Sequence, residues 1–311
     1  MKLVMFGDGL PGILQDDRII DISAVVGDCV SADRNQTMQR IVENFDSFSS
    51  DLQSLAASGE GVSVSDTQLL APLGRPDKIV AMGANYLENT DGPALPIFSF
   101  FKSQDSVIGP GDTIVLPDSG ARIYHHEAEM VVVIGKEARN VSESEAMDYV
   151  FGYTAGIDVS GRHPAVPRSL FGKSHDTFCP LGPCIVTKDE IPDPHDLQVK
   201  LWVDGDLRHD FSTSDMGHRI PECIAFVSAT TVLRPGDIIM TGTNHQGIGP
   251  LQDGDKVELD IEKIGRYQVS VSDPLGRSWP KGIDAEIGER IRKMVKLGIP
   301  PGAPGAPAGP K

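Results

Sequence analysis

The sequence predicts a mainly β protein with a minority of helix, in the α+β class. Three observations lead there. Short apolar runs open the chain, with KLVMF (2–6), PGILQ (11–15) and RIIDIS (18–23) separated by the turn residues GDG and QDD. A Gly-Asp turn feeding a β-like run then recurs at GPGDTIVLP (109–117), RPGDIIMTG (234–242) and QDGDKVELD (252–260). Helical periodicity is confined to a few separate stretches.

After the opening strands, Met38, Ile41, Val42, Phe45, Phe48, Leu52 and Leu55 recur at three- and four-residue spacing and predict one long helix. The link SGEGVSVSDTQLLAPLGRPD (58–77) leads to a new apolar strand at KIVAMG (78–83). This sets a boundary near residue 72 and a small N-terminal domain over 1–72. From 73 to 275 the chain reads mostly as strand, and turn-then-strand units over that length suggest a folded or rolled sheet. Two helices are expected to interrupt it. SESEAMDYV (142–150) opens with a capping box, Ser142 and Glu145. PECIAFVSATTVL (221–233) begins with Pro at a favoured first-turn position. A last helix is expected over 283–297, where Ile283, Ile287, Ile291, Met294 and Val295 form one stripe. The tail PPGAPGAPAGPK (300–311) has too little apolar bulk to fold, so 276–311 reads as a helix followed by a disordered end.

The 311 residues include 28 Lys and Arg against 44 Asp and Glu, a net charge of −16. That balance argues against nucleic acid and anionic membranes as partners, since both select a basic face. A small anion needs only a local cluster of cations. No apolar run approaches the roughly 18 residues of a membrane helix. MKLVMFGDGLPG lacks the longer apolar core and cleavage site of a signal peptide. Cys29, Cys179, Cys184 and Cys223 are too scattered for a disulfide scaffold, and CPLGPC has no second pair to complete a zinc site. They read as reduced thiols of a cytoplasmic protein.

The chemistry concentrates in YHHEAEMVVVIG (124–135). Strand alternation puts Glu127 and Glu129 on the same face, about 7 Å apart, with His125 before them and Val131 and Val133 after. Two unpaired carboxylates there would repel and resist burial, so something positive must lie between them. GYTAGIDVSGR (152–162) supplies a third acid, running apolar to Asp158 and turning polar at Ser160 and Arg162. Three carboxylates with no obligatory Cys or His describe a hard-cation site, most simply Mg²⁺, with Mn²⁺ or Ca²⁺ as alternatives. The competing reading is an exposed or edge-protecting Glu-x-Glu at a strand start. HHEAE does not match the helical His-Glu-x-x-His pattern of zinc proteases.

Residues 124–162, YHHEAEMVVVIGKEARNVSESEAMDYVFGYTAGIDVSGR, resemble the central signature of the fumarylacetoacetate hydrolase (FAH) family. Further segments match in family order: KIVAMGANY (78–86), FFKSQDSVIGPGDTIVLP (100–117), GKSHDTFCPLGPCIVT (172–187), LRPGDIIMTGTNHQGIG (233–249) and DGDKVELDIEKIG (253–265). The opening strands are similar to the small leading domain of bacterial members, so the resemblance spans about residues 1–272. It implies a mixed β-sandwich roll core with a small N-terminal α/β domain, and a homodimer. It also implies Mg²⁺ or Mn²⁺ held by Glu127, Glu129 and Asp158. The substrates it implies are small anionic 2-oxo or β-diketo acids, such as acylpyruvates and fumarylacetoacetate, which chelate the metal through adjacent carboxylate and carbonyl oxygens. By the same resemblance, Lys173 reaches the substrate carboxylate or the developing enolate, Arg162 stands near the substrate, and Thr243 hydrogen-bonds the substrate carboxylate. Lys102 and Tyr86 lie in matching segments and are assigned to substrate binding. Plainer readings are a surface lysine for Lys173 and a structural salt bridge for Arg162.

The pattern breaks in one place that matters for chemistry. Many hydrolysing and decarboxylating members read Asn-Tyr-x-x-His after the first core strand, often with a Glu three residues later, to orient or deprotonate the attacking water. Here GANYLENTDG keeps Asn85 and Tyr86 but has Asn89 at the His position and Gly92 at the Glu position. Neither acts as a general base near neutral pH. Glu88, His245 and His163 are the candidate substitutes, with Glu88 and His245 preferred. Many members also carry a Gln shortly after the matched Arg162. HPAVPRSLF (163–171) has none, so the substrate's far end is expected to be recognised differently. The first functional reading is a divalent-metal-dependent hydrolase that cleaves a C–C bond of an acylpyruvate or fumarylacetoacetate-like acid through a metal-stabilised enolate. The alternative is an isomerase, tautomerase, decarboxylase or dehydratase acting on a 2-oxo acid. A third is a metal-binding homologue without catalysis.

Overall fold

Two stacked β-sheets carry the chain in a computed structural model that describes residues 1–57, 60–163, 170–300 and 306. The larger sheet is mixed and twelve-stranded. Its main path runs through Val62–Ser63, Arg18–Asp21, Leu10–Gln15, Lys2–Phe6, Cys179–Thr187, Val150–Ile157, Ala128–Ile134, Ile238–Met240, Ile79–Met82 and Ser99–Lys102. The five-stranded sheet runs through Asp206–Ser212, Gln198–Val203, Lys256–Ile261, Gly265–Ser272 and Thr113–Val115. Val132 and Val186 of the first sheet share a buried cluster with Leu201, Val257 and Leu259 of the second. A second core lies on the other face of the large sheet, where the helix Arg34–Ala56 sets Met38, Ile41 and Leu52 against Leu3, Val131, Val133 and Ile238. The architecture is the expected α+β class, a sandwich with few helices.

The opening strands extend the large sheet. Lys2–Phe6 pairs antiparallel with Cys179–Thr187, Lys2 opposite Val186, so the residues before 72 share their sheet and part of their core with the central strands. Every residue of Ala128–Ile134 is buried. Its even-numbered side chains face the sandwich and Val131 and Val133 face the helix side. A strand covered on both faces has no need to alternate, which explains its unbroken apolar run.

The short Gly-Asp motif is one turn used three times. Gly111, Gly236 and Gly254 have φ of +84°, +84° and +83°, a region open to glycine at little cost. In each turn the aspartate three residues on accepts the backbone N–H of the first residue. Gly109 N–H donates to Asp112 at 2.7 Å, Arg234 to Asp237 at 2.8 Å and Gln252 to Asp255 at 2.9 Å. The strands Thr113–Val115, Ile238–Met240 and Lys256–Ile261 follow.

The helical expectations fare unequally. Ile220–Thr230 forms with Pro221 in its first turn, ending before Thr231, which is extended. Ala285–Leu297 forms with Asp284 as its cap, leaving Ile283 outside. Residues 142–150 do not form an α-helix. Only a 3₁₀ turn, Ala146–Tyr149, appears before Val150 enters a strand opposite Ile134. The Ser142 hydroxyl bonds the Glu145 carboxylate directly at 2.5 Å, and nine residues without an apolar stripe cannot repay helix nucleation against a strand pairing. All four cysteines are buried and free. No helix among the described residues is long and apolar enough to cross a membrane. The expectation of a disordered end falls, apart from residues 300 and 306, outside the described residues.

Packing the sandwich buries two imidazoles against each other. His209 Nε2 stands 3.2 Å from His126 Nδ1, and both residues are 0% exposed. Burial lowers the His209 pKa from 6.5 to about 4. The folded state therefore prefers neutral His209, so its contribution is complete above pH 6.5 and is lost as pH falls towards 4, by up to about 3 kcal/mol. Urea midpoints should fall across that window. The fall should be shallower in His209→Gln, whatever its stability at pH 7; an unchanged slope would show that this pair does not govern acid sensitivity.

Candidate active site

The antiparallel pairing of Ala128–Ile134 with Val150–Ile157 ends where the acids begin. Glu129 lies opposite Gly156, and the Asp158 N–H donates to the Glu127 carbonyl at 2.9 Å. The ladder thus brings two strand ends to one point. Glu127, Glu129 and Asp158 are 5%, 1% and 1% exposed, and each offers a carboxylate oxygen within 4.8 Å of the others.

The charges are unevenly answered. Lys173 Nζ donates to Glu127 Oε2 at 2.6 Å and also to Asp158. Arg162 Nη2 donates to Glu127 Oε1 at 2.5 Å, and Lys102 Nζ to Asp158 Oδ1 at 2.6 Å. Glu129 receives the Gly242 N–H at 2.6 Å and has no ion pair among the described residues. Burial opposes charge on Glu127, but Lys173 and Arg162 hold its carboxyl well below the usual range. Burial and the neighbouring Asp158 and Glu127 push Glu129 well above it. An all-oxygen set with one unanswered carboxylate fits a hard divalent cation. Ligands about 2.1 Å from a six-coordinate Mg²⁺ stand roughly 3–4 Å apart, a small contraction from the present spacing.

These acids line a cavity that is open to solvent. Lys173, Arg162, Thr243 and His245 line it with them. Arg162 is braced from behind, its Nε donating to His125 Nδ1 at 3.0 Å. Thr243 is 2% exposed, on the turn that follows Ile238–Met240.

Two candidates far apart in sequence meet here. Glu88 Oε1 lies 2.7 Å from His245 Nδ1, and its carboxylate also accepts the His245 backbone N–H at 2.9 Å and Gln246 Nε2 at 2.9 Å. A carboxylate accepting three N–H groups assigns the imidazole proton to Nδ1 and leaves the Nε2 lone pair free. Glu88 and Asn89 adopt left-handed backbone, φ 57° and 52°, costing about 1–2 kcal/mol each. The Asn89 N–H is held by the Asp215 carboxylate at 3.2 Å. That twist directs Glu88 inward, where it is 0% exposed.

The remaining candidates lie elsewhere. Lys102 does not line the cavity; its ammonium is buried behind the acids, on Asp158 and the Lys173 carbonyl. Tyr86 is 1% exposed in the core, edge-on to Phe211 at 5.1 Å between centroids, and does not line the cavity. Nor does His163, whose Nε2 is buried without a partner. Most of HPAVPRSLF, residues 164–169, lies outside the described residues.

Sequence reasoning missed the part played by the C-terminal helix. Ile287, Arg290 and Ile291 line the same cavity. The helix also accounts for Gly92, at the position where the resemblance leads us to expect a Glu. A Cβ at Gly92 would lie 2.6 Å from the Val295 carbonyl oxygen, so the helix backbone occupies the space that a side chain there would need. The available signal was Arg290 itself, a charge three residues after Ile287 and so within the apolar stripe.

The comparisons agree with this geometry. Residues 78–272 match the fumarylacetoacetate (FAA) hydrolase C-terminal family. A mitochondrial oxaloacetate tautomerase of Xenopus laevis is 39% identical over 230 residues, 69% of this chain and 70% of that protein. The maleylpyruvate hydrolase of Aquipseudomonas alcaligenes is 31% identical over 288 residues, 87% of this chain and 99% of that one. The crystal structure of a maleylpyruvate hydrolase from Sphingobium sp. SYK-6, in complex with manganese(II) and pyruvate, superposes with a TM-score of 0.80 at 35% identity, covering 88% of this chain and 99% of that one. With its sandwich fold, three clustered carboxylates and matched catalytic segment, this chain is an enzyme that belongs to the fumarylacetoacetate hydrolase family.

Proposed function

We propose that this enzyme hydrolyses the C–C bond of an acylpyruvate, giving pyruvate and a second acid. The observation that carries the reading is His245, which lines the cavity of the acid cluster and is held through Nδ1 by the buried Glu88 carboxylate, with Nε2 free. Glu127, Glu129 and Asp158 would hold the divalent cation, Mg²⁺ or Mn²⁺. When bound, that ion supplies Lewis-acid polarisation of the substrate's 2-oxo and carboxylate oxygens.

The chain's own residues do the rest. Arg162 and Thr243 bind the carboxylate of the pyruvate end. His245 Nε2 takes a proton from water as the hydroxyl oxygen adds to the distal carbonyl. Glu88 keeps the ring in the needed tautomer and stabilises the imidazolium. The C3–C4 bond breaks, its electron pair passes into the enolate of pyruvate, and the imidazolium returns the proton to C3. Lys173, which bridges Glu127 and Asp158, offers positive charge beside the developing enolate. Tautomerisation of a 2-oxo acid is the second reading, favoured by the 39% identity to an oxaloacetate tautomerase. It uses the same enolate and needs no activated water.

Proton NMR in D₂O, with Mn²⁺-supplied protein kept at a concentration low enough for line shapes, separates the two. Acylpyruvates should split into two acids, and His245→Gln should lower that rate about a hundredfold or more. Deuterium entering C3 of oxaloacetate, with no acylpyruvate cleaved, would replace hydrolysis by tautomerisation.

The cation site gives a separate expectation. Glu129→Gln keeps the shape and the Gly242 contact but removes a buried charge. The metal-free variant should melt above the metal-free wild type, while Mn²⁺ affinity measured by calorimetry should fall at least about tenfold. Wild-type affinity in the variant would remove Glu129 from the ligand set.

A further inference from the structure

The helix Ala285–Leu297 carries an arginine where its pattern calls for an apolar residue. Ile287, Ile291, Met294 and Val295 form its buried face. Arg290, three residues after Ile287 and next to Ile291, falls within that stripe and lines the cavity with both. Its Nε is buried without a partner, and its side chain forms no ion pair among the described residues. The acids nearest in sequence do not answer it. Asp284 caps the helix through the Ile287 N–H and lies 3.2 Å from His125 Nε2. Glu286 makes no ion pair with it either. Burial and then the nearby Arg162 lower the Arg290 pKa, against a smaller opposing pull from Glu286 and Asp284. A half-buried guanidinium facing a solvent-open cavity is a site for an anion.

We propose that Arg290 binds the carboxylate at the far end of a dicarboxylate substrate, so that the enzyme selects 2-oxo acids with a second carboxylate over those ending in a methyl group. The inference rests on the acylpyruvate reading for which substrate is turned over, but its binding claim can be tested apart from it. The pyruvate end of the substrate lies at the acid cluster with Arg162 and Thr243. The far end meets the C-terminal helix, and the guanidinium fork matches a carboxylate through two N–H donors. This supplies a far-end anchor in a chain whose segment directly after Arg162, residues 163–171, has no Gln. A methyl-ended substrate leaves the guanidinium desolvated and unpaired, which is the source of discrimination.

The test uses the Mn²⁺-loaded full chain and two probes of equal carbon count, 2-oxoglutarate and 2-oxopentanoate, titrated by calorimetry. The wild type should bind 2-oxoglutarate roughly tenfold to a hundredfold more tightly. Arg290→Met, which keeps the aliphatic stem, should lose that preference with little change for 2-oxopentanoate, and Arg290→Lys should recover part of it. Equal affinities in the wild type, or a preference kept in Arg290→Met, would overturn the proposal. In a kinetic arm, Arg290→Met should raise KM for fumarylpyruvate and leave acetylpyruvate nearly unchanged. A wild type that cleaves neither would overturn hydrolysis, and the titrations would still decide the role of Arg290.

Discussion

Three carboxylates buried at the end of a strand pair are the constraint around which the rest is arranged. Removing one partner from a buried ion pair costs roughly 3–5 kcal/mol, so charges here must be met by design of the surroundings. Lys102, Lys173 and Arg162 meet Glu127 and Asp158 from three separate segments of chain. Glu129 is the exception, kept short of a cation by every described residue and pushed towards its protonated form by burial and by its two acidic neighbours. The apolar strand behind the acids fixes their spacing, because Val131 and Val133 lock one face and Met130 and Val132 the other. Rigid strands therefore hold a group of like charges that would separate on a loop.

Much of this was legible in the sequence. Glu127, Glu129 and Asp158 could be placed together because strand alternation is a strict rule and both strands change from apolar to polar near their acids. The opening strands, the helix Arg34–Ala56 and the three Gly-Asp turns followed from equally local signals. Where local signals misled, a longer-range pairing had won. Ser142 and Glu145 satisfied the capping rule, yet Val150 is held opposite Ile134, a partner sixteen residues back, and the helix does not form. Lys102 and Tyr86 sit in segments that match the family, but a segment match does not say which way a side chain points. One is turned behind the acids and the other into the core.

The Glu88–His245 pair shows what sequence cannot give. The two residues are separated by 157 positions, and each alone is an unremarkable loop residue. Only the fold brings the turn after Ile238–Met240 against the loop after Ile79–Met82, through the parallel pairing of those strands. The loss of the expected histidine at Asn89 and glutamate at Gly92 looked like a loss of base chemistry. In the structure an imidazole, that of His245, lines the cavity, and the buried Glu88 carboxylate hydrogen-bonds it from behind.

The C-terminal helix packs against both loops that carry these residues. Its Val295 carbonyl packs onto Gly92, its cap Asp284 holds His125, and its Gly288 carbonyl accepts Gln246 Nε2 at 3.1 Å. Two of these contacts continue to residues beside the acid cluster. His125 braces Arg162, and Gln246 bonds the Glu88 carboxylate. A side chain at position 92 would meet the helix backbone, so the helix in its present place requires glycine there. The same helix brings Arg290 to the cavity. The glycine at position 92 and the guanidinium at the cavity are thus both tied to the packing of one helix.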